Sequence, residues 1–428
     1  MLGLGLAKYF VYFLYIFLLL LAFLSFRFPN FSLIVVISII PFRNILMKFY
    51  SFPLGDDIVD LYLVFLFLWL LFNGGKLVCL PRIVYIYFGY QFFLFFLSLN
   101  SFADPWPIIQ DFKNFLILPF LAILVVNVFK DKRDIIYYII VILLALLWAD
   151  RTYIRNLLSH GNLGMYRDTL RDPGIFVVLG SNELATFYTY NFFLPFSLAL
   201  FLRAKLKKYF CLLMSILTGI VILFTYSRGA YLSLCISLFC VLFIYRRFSV
   251  KPFVVYITLL VMVVMAYQVI LPSSVVQRIN MTLSHEGERF EERLDPSAQE
   301  RIMLWSESKR LIAESPLIGH GFEYTRHGLI MGFKDPHNKY IETLIEGGVI
   351  NLILFVSLFF SIISLSLKVF SLTEDSVFRA LSLSLFGATI VLMIANFFGD
   401  RWTYLELGSY YWSLIGVVQK IKDLSVKV

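Results

Sequence analysis

Arginine and histidine supply most of the candidate chemistry in this sequence. Arg228 stands in Thr225-Tyr226-Ser227-Arg228-Gly229-Ala230, where two apolar runs are joined by almost no connection. An arginine near membrane depth costs about 2.5–3.5 kcal/mol on insertion scales, so it usually faces an internal cavity or a partner. The plainer reading is a side chain that snorkels to lipid headgroups at a helix end. A second basic group lies between Asp150 and Asp172: Arg151, Arg155, Arg167 and Arg171, with three acids. Guanidinium forks match the paired oxygens of a phosphate or diphosphate. Such a patch can equally rest on anionic lipid.

The strongest element is Asp335-Pro336-His337-Asn338-Lys339-Tyr340-Ile341-Glu342, leading into Leu344-Ile345-Glu346-Gly347-Gly348. His337 follows a proline where the chain re-enters an apolar run, at the N-terminal end of an expected helix. A histidine there can act as a general base near neutral pH, and a helix N-terminus favours nearby anions. A capping or interfacial histidine is the alternative. Arg301 opens Arg301-Ile302-Met303-Leu304-Trp305 on an expected helix and alone is an ordinary surface arginine. Glu183, in Gly180-Ser181-Asn182-Glu183, stands at the outer end of a long apolar run and can pair with an arginine or position substrate. His285, His320 and His327 are weaker candidates. His285-Glu286-Gly287-Glu288 has no second histidine at ligand spacing and reads as solvated loop. No Asp-x-Asp pair occurs, so no metal or other cofactor is expected and a metal-independent mechanism is favoured.

The elements that must position these residues are membrane helices. The 428-residue chain is 60% hydrophobic and only 15% charged, with a mean hydropathy of +0.82. Runs such as Leu61–Phe72, Phe115–Phe129 and Ile135–Trp148 approach the roughly 20 apolar residues that cross a bilayer as a helix. They lack the alternation of a membrane barrel. Expected crossings are 9–26, 31–47, 57–73, 83–99, 112–129, 134–150, 175–202, 209–225, 230–245, 252–271, 348–367, 380–397 and 404–418. Basic connections at 130–133, 203–208, 246–251 and 368–379, with the Lys420/Lys422/Lys427 tail, mark the cytoplasmic side. Thirteen crossings would leave the N-terminus outside, which Lys8 disfavours. The segment 31–47, interrupted by Pro41 and Arg43, is therefore expected not to span separately, giving about twelve crossings. The fold class is an all-α polytopic membrane protein. It has an N-terminal bundle (1–271), a large outward loop with short helices (272–347, including a helix at Gln299–Glu314) and C-terminal helices (348–428). The first run, followed by Arg27 without a cleavage site, reads as a retained helix. The four cysteines suggest neither a disulfide framework nor a metal site. The charge of +9 is spread over short loops and is explained by topology, so nucleic acid is not an expected partner.

Ser227-Arg228-Gly229-Ala230, then Arg301-x-x-x-Trp305 with Pro316-x-x-Gly319-x-Gly321, then His337-Asn338-x-x-x-Glu342 with Glu346-Gly347-Gly348, resembles the O-antigen ligase/polymerase superfamily. The likeness is closest over 205–360. It implies a GT-C-like membrane glycosyltransferase of the bacterial inner membrane, with its site facing the periplasm and an undecaprenyl-diphosphate-linked glycan as donor. By motif, Arg228 and Arg301 would grip the diphosphate and His337 would be the base. Arg167 and Arg171 would assist, and Asn338, Glu342 and Glu183 would support the site. The reaction would be inverting. The acceptor is open: a ligase moves the glycan onto lipid A–core, and a polymerase extends another lipid-linked chain. A transporter of lipid-linked sugar is the third reading, and it predicts ionisable residues in mid-helix and repeat symmetry.

Overall fold

The computed structural model describes residues 16, 20, 23–45, 58–73, 77–99, 104–159, 165–168, 171, 174–176, 179–245, 258, 268–269, 271–281, 296–327 and 335–426. Among these, every regular element is a helix, the form in which an apolar segment satisfies all its own backbone polar groups. The first part comprises α1 (Pro29–Ile39), α2 (Ile58–Phe72), α3 (Arg82–Leu99), α4 (Trp106–Val128), α5 (Lys132–Ser159), α6 (Ser181–Asn191), α7 (Phe193–Phe201), α8 (Lys205–Phe224) and α9 (Arg228–Tyr245). After it come α10 (Ser273–Asn280), α11 (Pro296–Glu314), α12 (Tyr324–His327), α13 (Lys339–Leu372), α14 (Ser376–Ala395) and α15 (Leu405–Val426). Eight helices among the described residues are long and apolar enough to cross a membrane, with α6 and α7 counted together. The protein is an all-α polytopic membrane protein. The expected crossings at 9–26 and 252–271, and His285 with its acidic neighbours, lie wholly or almost wholly outside the described residues.

Successive helices run between two ends. At the basic end, Lys132 pairs with Asp375, which caps α14 by accepting from the Val377 and Phe378 amides at 3.0 and 3.1 Å. Asn30 donates to Asp134 there at 2.9 Å. At the opposite end, Arg43 pairs with Glu406 at 2.9 Å and the Tyr153 hydroxyl donates to the Phe224 carbonyl at 2.6 Å. Residues 29–45 form a shorter apolar helical segment, outside the eight that are long enough to cross a membrane. Pro41 does not break it, because it falls in a 3-10 turn (Ile40–Phe42) at the far end, and Arg43 is neutralised by Glu406. At the centre stands α15, buried from Leu405 to Ile421. Just before it, Trp402 is 2% exposed among Tyr87, Phe355, Phe359, Tyr411 and Trp412. It fixes the 399–404 connection in place.

One local reading is corrected. The outer connection expected from 151 starts later, because α5 continues to Ser159, so Arg151 and Arg155 lie on the exposed surface of a helix. Asp150 is buried, accepting from the Thr218 hydroxyl on α8 at 2.8 Å. In the large outer segment, α11 covers the helix expected at 299–314 and ends before Pro316.

The following turn lies backbone to backbone on α13. The His320 amide donates to the Ile345 carbonyl at 3.0 Å, Gly321 to Glu346 at 2.8 Å, and Val349 to Pro316 at 2.9 Å. Gly319 (φ +67°) and Gly348 (φ +63°) make this approach possible. A Cβ at either would sit 2.3 or 2.2 Å from a backbone carbon across the contact. The two glycine motifs are thus halves of one joint, and Gly348 kinks α13 where its partners lie outside its own helix.

Candidate active site

At the end opposite the basic loops is a cavity of about 310 Å³ lined by Arg171, Arg228, Arg278, Arg301 and Arg401. Among the described residues no carboxylate lines it; Asn182, Thr186, Tyr226 and Ser227 supply most of the other polar groups. Each arginine comes from a different element. Arg228 is the first residue of α9, after a turn in which Tyr226 adopts φ 54° and the Ser227 carbonyl accepts from the Ala230 and Tyr231 amides. The buried Tyr226 hydroxyl lies 3.1 Å from Ser274 Oγ, which ties this turn to α10. Near the end of α10, the Arg278 guanidinium lies 5.1 Å over the Tyr166 ring. Arg171 donates to Asn182 Oδ1 at 3.0 Å. Arg401 pairs with Glu183 and donates to the Asp400 carbonyl at 2.7 Å. The first residues of α6 and α9 also reach the cavity, and helix N-termini favour an anion. Converging guanidiniums, two helix starts and no lining carboxylate suit a diphosphate.

Arg228, Arg301 and Arg171 are brought together at this cavity, and Glu183 pairs with an arginine, one of the two roles open to it from sequence. Arg167 is exposed beside the Tyr166–Arg278 contact and is not among the lining residues. Sequence reading missed Arg278 and Arg401. The latter was within reach: Asp400-Arg401 stands between two apolar runs, the same setting that singled out Arg228.

His337 precedes the helix cap. Its backbone has φ 51°, its amide donates to Asp335 Oδ1 at 2.7 Å, and its side chain is 48% exposed. Asn338 is the N-cap of α13, its Oδ1 accepting from the Tyr340 and Ile341 amides at 3.0 and 3.2 Å. The motif Arg301-x-x-x-Trp305 now has a geometric meaning. Residues four apart share a helix face. One turn of α11 reaches the cavity through Arg301, and the next anchors the histidine segment, with Trp305 Nε1 donating to the Pro336 carbonyl at 2.8 Å. His337 does not line the cavity.

Glu342 belongs to a buried ionic network. Lys339 Nζ lies 3.0 Å from Glu342, 3.4 Å from Asp400 and 3.7 Å from Glu346. Glu323 is 1% exposed and approaches Arg326 at 3.3 Å. Burial pushes the Glu323 carboxyl above its ordinary range, and Arg326 and Lys339 offset this only in part. At Asp400 burial also pushes upward, but Lys339, Arg326 and the donors Thr403 and Trp402 outweigh it and hold the carboxyl at about 2. Glu323, Glu342 and Asp400 offer oxygens within 4.8 Å of one another, a spacing open to a cation. The Lys339 ammonium already supplies positive charge there. His320 and His327 are also engaged: His320 Nε2 lies 2.9 Å from the Leu311 carbonyl, and His327 Nε2 lies 2.8 Å from Asp111.

Removing one member of a buried pair leaves a charge short of its partner, at a cost of about 3–5 kcal/mol. Asp400→Asn is expected to lower stability by about 3 kcal/mol, seen as a lower melting midpoint in detergent. Because the Asp400 pKa is depressed from 3.8 to about 2, its ionic contribution is full above the former value. It is lost as the pH falls toward the latter, so the gap between the two proteins should close over that range. An unchanged midpoint at neutral pH would show that the network does not depend on Asp400.

These features define a helical membrane protein with an arginine-lined cavity suited to an anion. Residues 210–356, about a third of the chain, match the family model described as O-antigen ligase, which places the segment holding Arg228, Arg301 and His337 in the O-antigen ligase superfamily. The match supports a membrane glycosyltransferase-like enzyme of the general O-antigen ligase/polymerase type, with lipid-linked glycan as the kind of substrate the family implies. No curated protein matches the chain.

Proposed function

We propose that the protein is an O-antigen ligase-type glycosyltransferase. It moves a glycan from undecaprenyl diphosphate to an acceptor sugar hydroxyl of lipid A–core, on the periplasmic side of the bacterial inner membrane. The observation that carries this reading is the single face of α11, which joins the arginine cavity through Arg301 to the segment of His337 through Trp305. The donor diphosphate rests among Arg228, Arg301, Arg171, Arg278 and Arg401. The bond between the anomeric carbon and the diphosphate oxygen breaks, and the arginines stabilise charge gathering on the leaving group. His337 takes the proton of the attacking hydroxyl. Attack from the opposite face inverts the anomeric centre. Lipid diphosphate is a good leaving group, so this route calls for no metal. The basic loops at the other end of the bundle support the outward orientation.

The test offers purified protein the undecaprenyl-diphosphate glycan with lipid A–core in one tube and with further donor alone in another. Glycan on lipid A–core alone is the expected result. A ladder of lengthened lipid-linked chains would make the enzyme a polymerase. Neither product, from protein that binds donor, would turn the reading toward transport.

A further inference from the structure

A second cavity, of about 220 Å³, opens at the same end of the bundle. The 399–404 connection stands between the two, sending Arg401 into the first and Thr403 and Tyr404 into the second. Their chemistries differ. The first holds arginines and no carboxylate, whereas Asp111, Glu323 and Glu406 line the second with only Arg43 and Arg326 against them. Those two arginines are tied to the carboxylates: Arg43 to Glu406 at 2.9 Å, and Arg326 to Glu323 at 3.3 Å and to Asp111 at 3.4 Å. A phosphate would meet three acids, so the second cavity disfavours an anion. Carboxylate and amide oxygens beside guanidinium and amide donors instead match hydroxyl groups, each of which donates once and accepts twice.

A further observation points to a hydroxyl donor as the ligand. Glu323 is 1% exposed and lines this cavity, yet neither of its carboxylate oxygens has a hydrogen-bond partner; Oε2 has only the longer approach of Arg326. An unsatisfied buried acceptor costs about 1–3 kcal/mol, and a hydroxyl donor entering the cavity would relieve it. Asn44 and Asn114, on different helical segments and half-buried, add adaptable amide groups at the rim. The volume is that of a single sugar ring and not of an oligosaccharide.

We propose that this second cavity is a sugar subsite of the transfer reaction, holding one uncharged sugar ring through Glu323, Asp111 and the Asn44 and Asn114 amides. The proposal rests on the transferase reading above. The ring can come from the acceptor or from the donor glycan beyond its diphosphate, and the experiment separates these sources.

Initial rates are measured for wild type, Asn114→Leu and Asn44→Leu, varying lipid A–core and undecaprenyl-diphosphate glycan in turn. A rise of about tenfold in one KM, equivalent to 1.4 kcal/mol, with a smaller change in kcat, is expected. An effect on the acceptor KM assigns the ring to the acceptor, and an effect on the donor KM assigns it to the donor. Both KM values unchanged in folded variants would overturn the proposal. A wild type that makes no transfer product would instead sink the transferase reading. If the variants fail to fold, carbodiimide labelling of the wild-type protein decides. Protection of Asp111 or Glu406 by one substrate supports the subsite, and equal labelling with and without either substrate refutes it.

Discussion

Arg228→Ala is expected to lower kcat/KM for glycan transfer by about 10²–10³, the usual cost of removing one preorganised donor from a site of developing negative charge. Arg228 sits on the shortest outward connection of the bundle, at the first residue of α9, with four other arginines around the same cavity. Its loss removes a charge and a planar fork together. Arg228→Lys keeps the charge but not the fork, so it should recover only part of the rate. The measurement is the initial rate of glycan transfer in detergent at several donor concentrations. Since leaving-group charge grows toward the transition state, the fall should appear in kcat as well as in donor KM. A rate close to wild type would mean that the diphosphate is held elsewhere.

His337→Ala is expected to reduce kcat by about 10²–10⁴, the range for loss of a positioned general base. Donor binding should hardly change, because His337 does not line the arginine cavity. That split distinguishes a base from a structural residue. The imidazole is 48% exposed, open to an incoming hydroxyl, while its backbone is fixed on both sides. Asp335 accepts from its amide at 2.7 Å and Asn338 caps the helix that follows. Trp305→Phe, which loses the 2.8 Å bond to the Pro336 carbonyl, should show a smaller fall of the same kind. Full activity in His337→Ala would overturn the base assignment. The half-buried His327, 2.8 Å from Asp111 at the second cavity, would then be the residue to examine.

Much of the molecule was legible without coordinates. Apolar runs of bilayer length can satisfy their backbone only as helices, so the fold class could be read directly. Arg228 stood out because a charge between two such runs is costly without a purpose. The ordered motifs around Arg301 and His337 pointed to the same family as the match over 210–356. Boundaries were less legible. Nothing in composition marks where α5 ends, so Arg151 and Arg155 were read as loop when they ride an exposed helix surface. Nor does local pattern say what becomes of Pro41 and Arg43: the first falls in a tight turn at the end of a short apolar helix, and the second finds Glu406 more than 360 residues away.

The sequence by itself determined that this is a helical membrane protein with chemistry gathered in its outward connections, because hydrophobic length and local charge are properties of the chain. Tertiary structure alone decided which charges meet. Arg171, Arg278 and Arg401 join Arg228 and Arg301 from elements far apart in sequence, and Lys339 meets Asp400 because α13 and α14 pack side by side. It also gave the glycine motifs their reason, the backbone of Gly319 against Glu346 and of Gly348 against Leu317, each too close for any side chain. Such encounters depend on how helices pack, and packing is fixed by contacts between residues that no local pattern links.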